Sequence, residues 1–156
     1  MRIHLLAVGT RTPVWMRSGY EEFAARLPRE CSLNLVEIAA GRRGKSVDVA
    51  RVLRNEGERM LAAVPPGSRV ISLDIGGQQW HTEELAAQLQ SWMQDGRDVA
   101  LLVGGPEGLD GSCKARAEQS WSLSKLTFPH LLVRILIAEQ VYRAWSILSG
   151  HPYHRA

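Results

Sequence analysis

Hydrophobic positions along the chain switch repeatedly between strand-like runs and helical spacing. Arg2 to Gly9 is a compact, largely apolar run closed by glycine, the pattern of a buried strand. After Pro13, Trp15, Gly19, Phe23 and Leu27 recur at four-residue steps and predict a helix. Leu33 to Ile38 reads as the next strand. Ser46 is placed to cap a helix whose apolar positions Val49, Leu53, Met60 and Leu61 share one face, and Pro65, Pro66 and Gly67 end it. Arg69 to Asp74 is a third strand. Thr82 then caps a helix with Glu83 and Glu84 in its first turn, favourable against the helix dipole. Leu85, Ala86, Leu89, Trp92 and Met93 form its buried face, and Gly96 stops it. Asp98 to Val103 is a fourth strand running into Gly-Gly-Pro-Glu-Gly. A short helix covers Asp110 to Glu118, Trp121 to Thr127 is a fifth strand or extended segment, and His130 to Leu148 is the final helix.

Strands alternating with helices predict an α/β fold with a mostly parallel sheet and helices on both faces. No repeat, low-complexity segment or linker divides the sequence, so residues 1–156 read as one domain. Ligands of such sheets bind beyond the carboxyl ends of the strands. The residues after Leu73, Val103 and Leu126 therefore belong to one rim. The final helix is apolar on nearly every side, from Leu131 through Tyr142 and Trp145 to Leu148. One sheet face cannot cover all of that surface, which predicts a subunit interface and a homodimer.

A net charge of +3 with histidines neutral permits an anionic partner without demanding one. Cys31 and Cys113 lie far apart with no CxxC spacing, as expected of reduced structural cysteines in a cytoplasmic protein. The run from Ile3 to Val8 is too short for a signal peptide, and the best candidate for a membrane span is broken by Arg134. No membrane partner is expected.

Three segments carry candidate chemistry. Ala39 to Ser46, AAGRRGKS, approaches a phosphate-binding loop, with Gly44, Lys45 and Ser46 between a strand and a helix and Asp74 ending a later strand. Ala39 occupies the place of the first glycine, however, so the alternatives are a solvated basic loop or RNA-phosphate contact through Arg42, Arg43 and Lys45. Gly104 and Gly105 open a turn, GGPEGL, that lets a ligand approach main chain without a Cβ in the way. It is no dinucleotide fingerprint. The third segment is the tail, where His151, Tyr153, His154 and Arg155 crowd together after the last helix. With His130 these histidines lack an acidic or cysteine third ligand, so no metal is expected. Glu139 and Arg143 stand at i,i+4 spacing, which by itself predicts only a helical ion pair.

Taken together, LDIGG (Leu73 to Gly77), GGPEGL, LSKLTFPH (Leu123 to His130), RILIAEQVYRAW and HPYHR resemble the RlmH-type SPOUT methyltransferases, which methylate N3 of a pseudouridine in large-subunit ribosomal RNA. The likeness runs from Ala7–Gly9 through GRRGK to the tail. It implies a trefoil knot in the C-terminal part, S-adenosyl-L-methionine as cofactor, a homodimer packed through the knot and last helix, and ribosomal RNA in the ribosome as partner. The cofactor loops it implies are Leu73 with its followers, the turn with Gly104, Gly105 and Gly108, and Leu123, Ser124, Lys125, Leu126, Thr127 and Phe128.

An imide N3 is nucleophilic only when deprotonated, so the protein must favour the anion and take up the proton. The candidates for that task are His130, Arg143, Tyr153, His154 and Arg155. Arg143 and Arg155 suit phosphate or imidate charge and Tyr153 suits base orientation. Either His130 or His154 could accept the proton, and the sequence does not choose between them.

Overall fold

In the computed structural model the described residues are 1–155; Ala156, the last residue of the expected domain and of the tail, lies outside them. The chain order is β1 (Arg2–Val8), α1 (Val14–Ala24), β2 (Ser32–Ile38), α2 (Val49–Ala63), β3 (Arg69–Gln79), α3 (Thr82–Asp95), β4 (Val99–Val103), α4 (Gly111–Arg116), β5 (Gln119–Ser122) and α5 (His130–Ser149). Single 3-10 turns occupy Arg29–Cys31 and Pro152–Arg155. The strands form one five-stranded sheet in the order β2-β1-β4-β3-β5. Every pairing in it is parallel, so all the strand ends that carry loops to the next helix share one rim.

Successive side chains of a strand point to opposite faces, and both faces are buried. Ile3, Leu5 and Ala7 of β1 with Leu101 and Val103 of β4 pack against Met16, Leu89, Trp92, Ile137 and Val141, the inward residues of α1, α3 and α5. Leu6 and Val8 with Ala100 and Leu102 face the other way, onto Met60 of α2 and Cys113 of α4. The central strands thus read as continuous apolar runs because nothing on either side is wet. The strand order is compatible with the knot that the resemblance implies.

Element boundaries and faces depart from the sequence reading in several places. The buried face of α1 is Met16 and Tyr20, while Trp15 projects outward at 56 % exposure. The stripe is shifted by one residue because glycine at position 19 carries no apolar weight of its own; it lets Ile135 of α5 come close, within 2.8 Å of where a Cβ would stand. Asp48, not Ser46, caps α2, its carboxylate accepting from the amides of Ala50 and Arg51. The buried residues of α2 are Val52, Glu56, Gly57 and Met60, with Val49 exposed. His81 holds the cap position of α3 without a side-chain bond, and the Thr82 hydroxyl instead donates to Gln140 of α5.

The third and fifth strands also differ. β3 continues past Asp74 to Gln79, with a register shift between Leu73 and Gln78 against β5. β5 itself covers Gln119–Ser122, so the segment from Leu123 onward is loop, not strand. The stack of Trp80 on Trp121, with centroids 5.3 Å apart, fixes where β3 and β5 part. Both cysteines are free and buried, and burial pushes the Cys31 thiol up to about 11. No described helix is long and apolar enough to cross a membrane.

Candidate functional site

Where β3 and β5 diverge, a cleft of about 160 Å³ opens on the carboxyl rim. Leu73, Asp74 and Ile75 form one wall, Trp121 to Ser124 the floor, and Leu126, Thr127 and Phe128 the other wall, with Val133 of α5 behind. The loop after β5 owes its shape to two serines. Ser122 Oγ donates to the Ser124 carbonyl at 3.0 Å, and Ser124 Oγ accepts from the Leu126 amide at 3.0 Å. Leu126 and Ile75 are left 70 % and 62 % exposed at the mouth. Large apolar side chains standing free beside an apolar cleft mark a place where a ligand would cover them. Asp74, whose other contacts are Lys114 Nζ at 3.6 Å and the Gly76 amide at 3.3 Å, is the sole charged residue lining the cleft among the described residues.

Of the cofactor residues expected from sequence, Leu73, Leu123, Ser124, Leu126, Thr127 and Phe128 line this cleft together. Lys125 projects away to solvent. Asp74 and Ile75 are the followers of Leu73 that the resemblance implied, whereas Trp121, Ser122 and Val133 were not named as site residues, and Trp121 needs the β3–β5 pairing to be seen.

Gly104, Gly105 and Gly108 belong to the neighbouring turn after β4, outside the cleft lining. The turn closes on itself, with the Gly108 amide donating to the Gly105 carbonyl at 3.0 Å and Gly108 at positive φ. A Cβ on Gly104 would stand 2.2 Å from the Gly108 carbonyl oxygen, so that glycine is demanded by the turn's own packing. Ligand approach had been expected to be the reason.

The turn is tethered across the sheet by Arg43. Its Nε donates to Glu107 at 2.7 Å, and its other nitrogens reach Glu56 and the Gly41 carbonyl. Glu56 is only 2 % exposed and also accepts from the Gly41 amide at 2.8 Å. The hydrogen bond from Arg43 holds the Glu107 carboxyl below the usual range. Arg43, expected to be solvated or to touch phosphate, is therefore a structural clamp. The phosphate-loop reading also meets a different geometry: Lys45 and Ser46 lie in an exposed turn ahead of α2, and the Asp48 carboxylate already occupies the helix amides. A second anion there would be repelled.

The catalytic candidates fall into two groups. Tyr153, His154 and Arg143 converge on the C-terminal half of α5, because the tail folds back onto its own helix. Tyr153 Oη donates to Glu139 at 3.0 Å, and its ring packs 4.7 Å from Tyr142 and beneath the Arg143 guanidinium at 5.0 Å. The helical pair of Arg143 Nε with Glu139, at 2.9 Å, forms as the spacing predicts. Burial and the bond to Glu139 push the Tyr153 phenol up, so it stays protonated as a donor. Ser146 spends its hydroxyl proton on the Arg143 carbonyl at 2.7 Å. His154 Nδ1 stands 3.3 Å away and donates to Ser146 in the tautomer that leaves Nε2 bare. Arg155 is exposed.

His130 stands alone at the other end of α5, in a hollow with Gly9, Arg11 and Arg42. Burial, helped by the positive charges of Arg134 and Arg43, lowers its pKa and favours the neutral imidazole. Arg143 lies thirteen positions further along the helix, about 20 Å along the axis.

A family profile described as "Predicted SPOUT methyltransferase" matches residues 1–154. Among solved structures, the tRNA (m1G37) methyltransferase from Aquifex aeolicus superposes with a TM-score of 0.57 over 92 % of this chain and 70 % of that one. At 11 % identity that likeness concerns the fold alone. A parallel sheet with an apolar rim cleft and a profile match over nearly the whole length lead to one conclusion: this chain belongs to the SPOUT methyltransferase family.

Proposed function

We propose that the chain is an S-adenosyl-L-methionine-dependent RNA methyltransferase acting, as a homodimer, on N3 of a pseudouridine in large-subunit ribosomal RNA. The cleft between Leu73–Ile75 and Leu123–Phe128 carries the reading, since its lining fits the cofactor's chemistry. Apolar walls suit an adenine ring, and the Asp74 carboxylate, offset in part by Lys114 at 3.6 Å, is the charge of the lining that a cationic ligand would meet. When bound, the cofactor supplies an electrophilic methyl group on a sulfonium sulfur. Leu126 and Ile75 would close over the site and exclude water.

The chain's remaining task is the imide proton. A neutral histidine nitrogen can accept it, either His154 Nε2 or His130, and the Arg143 and Arg155 cations stabilise the anion left behind. Tyr153, whose hydroxyl donates to Glu139, would orient the base. In one chain the tail contacts α5 from Glu139 to Ser146, about 9 to 20 Å along the axis from Val133 at the cleft. A second copy supports a shorter path, because α5 keeps Leu131, Leu132, Ile135 and Leu136 only half-buried. Packing through that face would let one subunit's tail serve the other's cleft.

The test is transfer of labelled methyl from S-adenosyl-L-methionine to ribosomes, with the product nucleoside identified by mass spectrometry. Label in N3-methylpseudouridine is expected. Absence of label from RNA, or label in ribosomes whose target position is plain uridine, overturns the reading.

A further inference from the structure

The arginines of this protein divide into two populations. Arg2, Arg26, Arg43, Arg69, Arg97, Arg134 and Arg143 each pair with a carboxylate. The other nine have no carboxylate within ion-pair distance among the described residues, and four of these, Arg11, Arg42, Arg51 and Arg59, line two adjoining hollows. The first hollow, about 540 Å³, lies between Gly9–Arg11 and His130. The second, about 670 Å³, lies against α2 with Arg51 and Arg59. Ala39 to Arg42 is the wall that both share. Among the described residues one acid, Asp48, lines the second hollow and none lines the first. Its carboxylate accepts from the α2 amides and keeps an anion off that helix end, so phosphate is left to the arginine side chains.

We propose that this track of unpaired cations is the seat of the RNA phosphate backbone, an inference that rests on the RNA-methyltransferase reading. The shared wall is built to present charge. Buried Glu56 holds the Gly41 amide and the Arg43 guanidinium, and Arg59 donates twice to the Ala39 carbonyl, at 3.2 and 2.9 Å. Main chain on both sides of Arg42 is thereby fixed while its own side chain stays free for a partner. Unpaired guanidiniums on a fixed scaffold bind a repeating anion at small entropic cost, and the phosphates of a nucleic-acid strand are such a repeat, with a geometry that the fork matches. The track reaches the first turn of α5 at His130 and Leu131, and Val133, in the same turn, backs the cofactor cleft. A strand lying along it would therefore run past the reacting centre.

The experiment compares the full-length protein with the combined variant Arg11→Ser, Arg42→Ser, Arg51→Ser, using ribosomes as substrate and S-adenosyl-L-methionine titration as a second readout. Arg29→Ser is the control, an exposed arginine at the amino-terminal end of β2, on the opposite rim. The triple variant is expected to raise the KM for ribosomes on the order of tenfold or more and to flatten the salt dependence of ribosome binding by about two units of slope. Cofactor affinity stays at the wild-type value, and the control behaves as wild type. An unchanged KM and salt slope in a triple variant, with wild-type ribosomes still methylated, overturns the track alone. An equal loss in Arg29→Ser reduces the effect to net charge and also overturns it. If the wild-type protein neither binds nor methylates ribosomal RNA, the functional reading falls with it.

Discussion

The Arg134 guanidinium, wholly buried in α5, donates to the main-chain carbonyl of Gly9 at 2.9 Å. It also reaches the Val8 carbonyl at 3.1 Å and Glu37 at 3.0 Å. One side chain thus ties the last helix to the carboxyl ends of β1 and β2, the edge of the rim on which the basic track lies. Gly9 takes φ of 118°, and a Cβ there would stand 3.2 Å from Arg134 Nη2, so the two positions constrain each other.

Removing the guanidinium orphans two carbonyls and leaves Glu37 without its partner. Arg134→Ala is therefore expected to lower unfolding free energy by about 3 kcal/mol. Urea denaturation checks this; a loss under about 1 kcal/mol would mean that water replaces the guanidinium at little cost.

Leu126 offers a cleaner probe of the cofactor cleft than any glycine of the turn. At 70 % exposure it supports little of the fold, so Leu126→Ser should leave the melting temperature unchanged. Losing the apolar contact with bound cofactor should weaken affinity about tenfold, in line with partial burial of a leucine. Gly104→Val cannot make that separation, because its side chain would collide with Gly108 whether or not ligand is present. Calorimetric titration of Leu126→Ser with S-adenosyl-L-methionine decides; wild-type affinity would remove this residue from the site.

The acid limb of stability should show the Arg43 clamp. Glu107 has its pKa lowered by the hydrogen bond from Arg43, so its contribution is complete above the ordinary carboxylate value of 4.5. It is lost as pH falls from there through the lower folded value, since the unfolded state then binds more protons. Glu107→Gln should thus narrow its stability gap to wild type as pH drops below that point. Melting curves at several pH values test this, and a gap that stays constant would show that the ion pair adds nothing.

The alternation of strand and helix was legible because the central strands of a doubly covered parallel sheet are apolar throughout, as Val99–Val103 is. The rim also followed from that alternation, and six of the expected cofactor residues meet in the cleft. What stayed hidden depends on pairs distant in sequence. Arg43 reads as a loop cation until Glu56 and Glu107 are brought to it. Arg134 reads as a break in a greasy helix until the carbonyls of Val8 and Gly9 appear above it. Capping by Asp48 over Ser46 depends on where the loop turns, which local propensity does not determine.

The tail makes the sharpest division between a packing role and a catalytic one. Tyr153 packs on Tyr142 and Phe23 and bonds Glu139, so deleting residues 151–156 removes some apolar cover from the end of α5. If packing were its whole role, truncation would cost about 1 kcal/mol and leave methyl transfer near wild type. The proposed mechanism expects otherwise. Loss of His154, Arg155 and Tyr153 should cut methyl transfer to ribosomes on the order of 100-fold or more, with cofactor affinity retained, because the cleft lies at the other end of α5. Subunit mixing then separates cis from trans action. A truncated subunit paired with a cofactor-cleft variant restores one complete site only if the tail of one chain serves the cleft of the other. Recovery of about a quarter of wild-type sites is expected for random reassortment of two inactive proteins, since half of the dimers are mixed and each mixed dimer carries one complete site. Full-length rates from the truncated protein would leave the tail as packing alone.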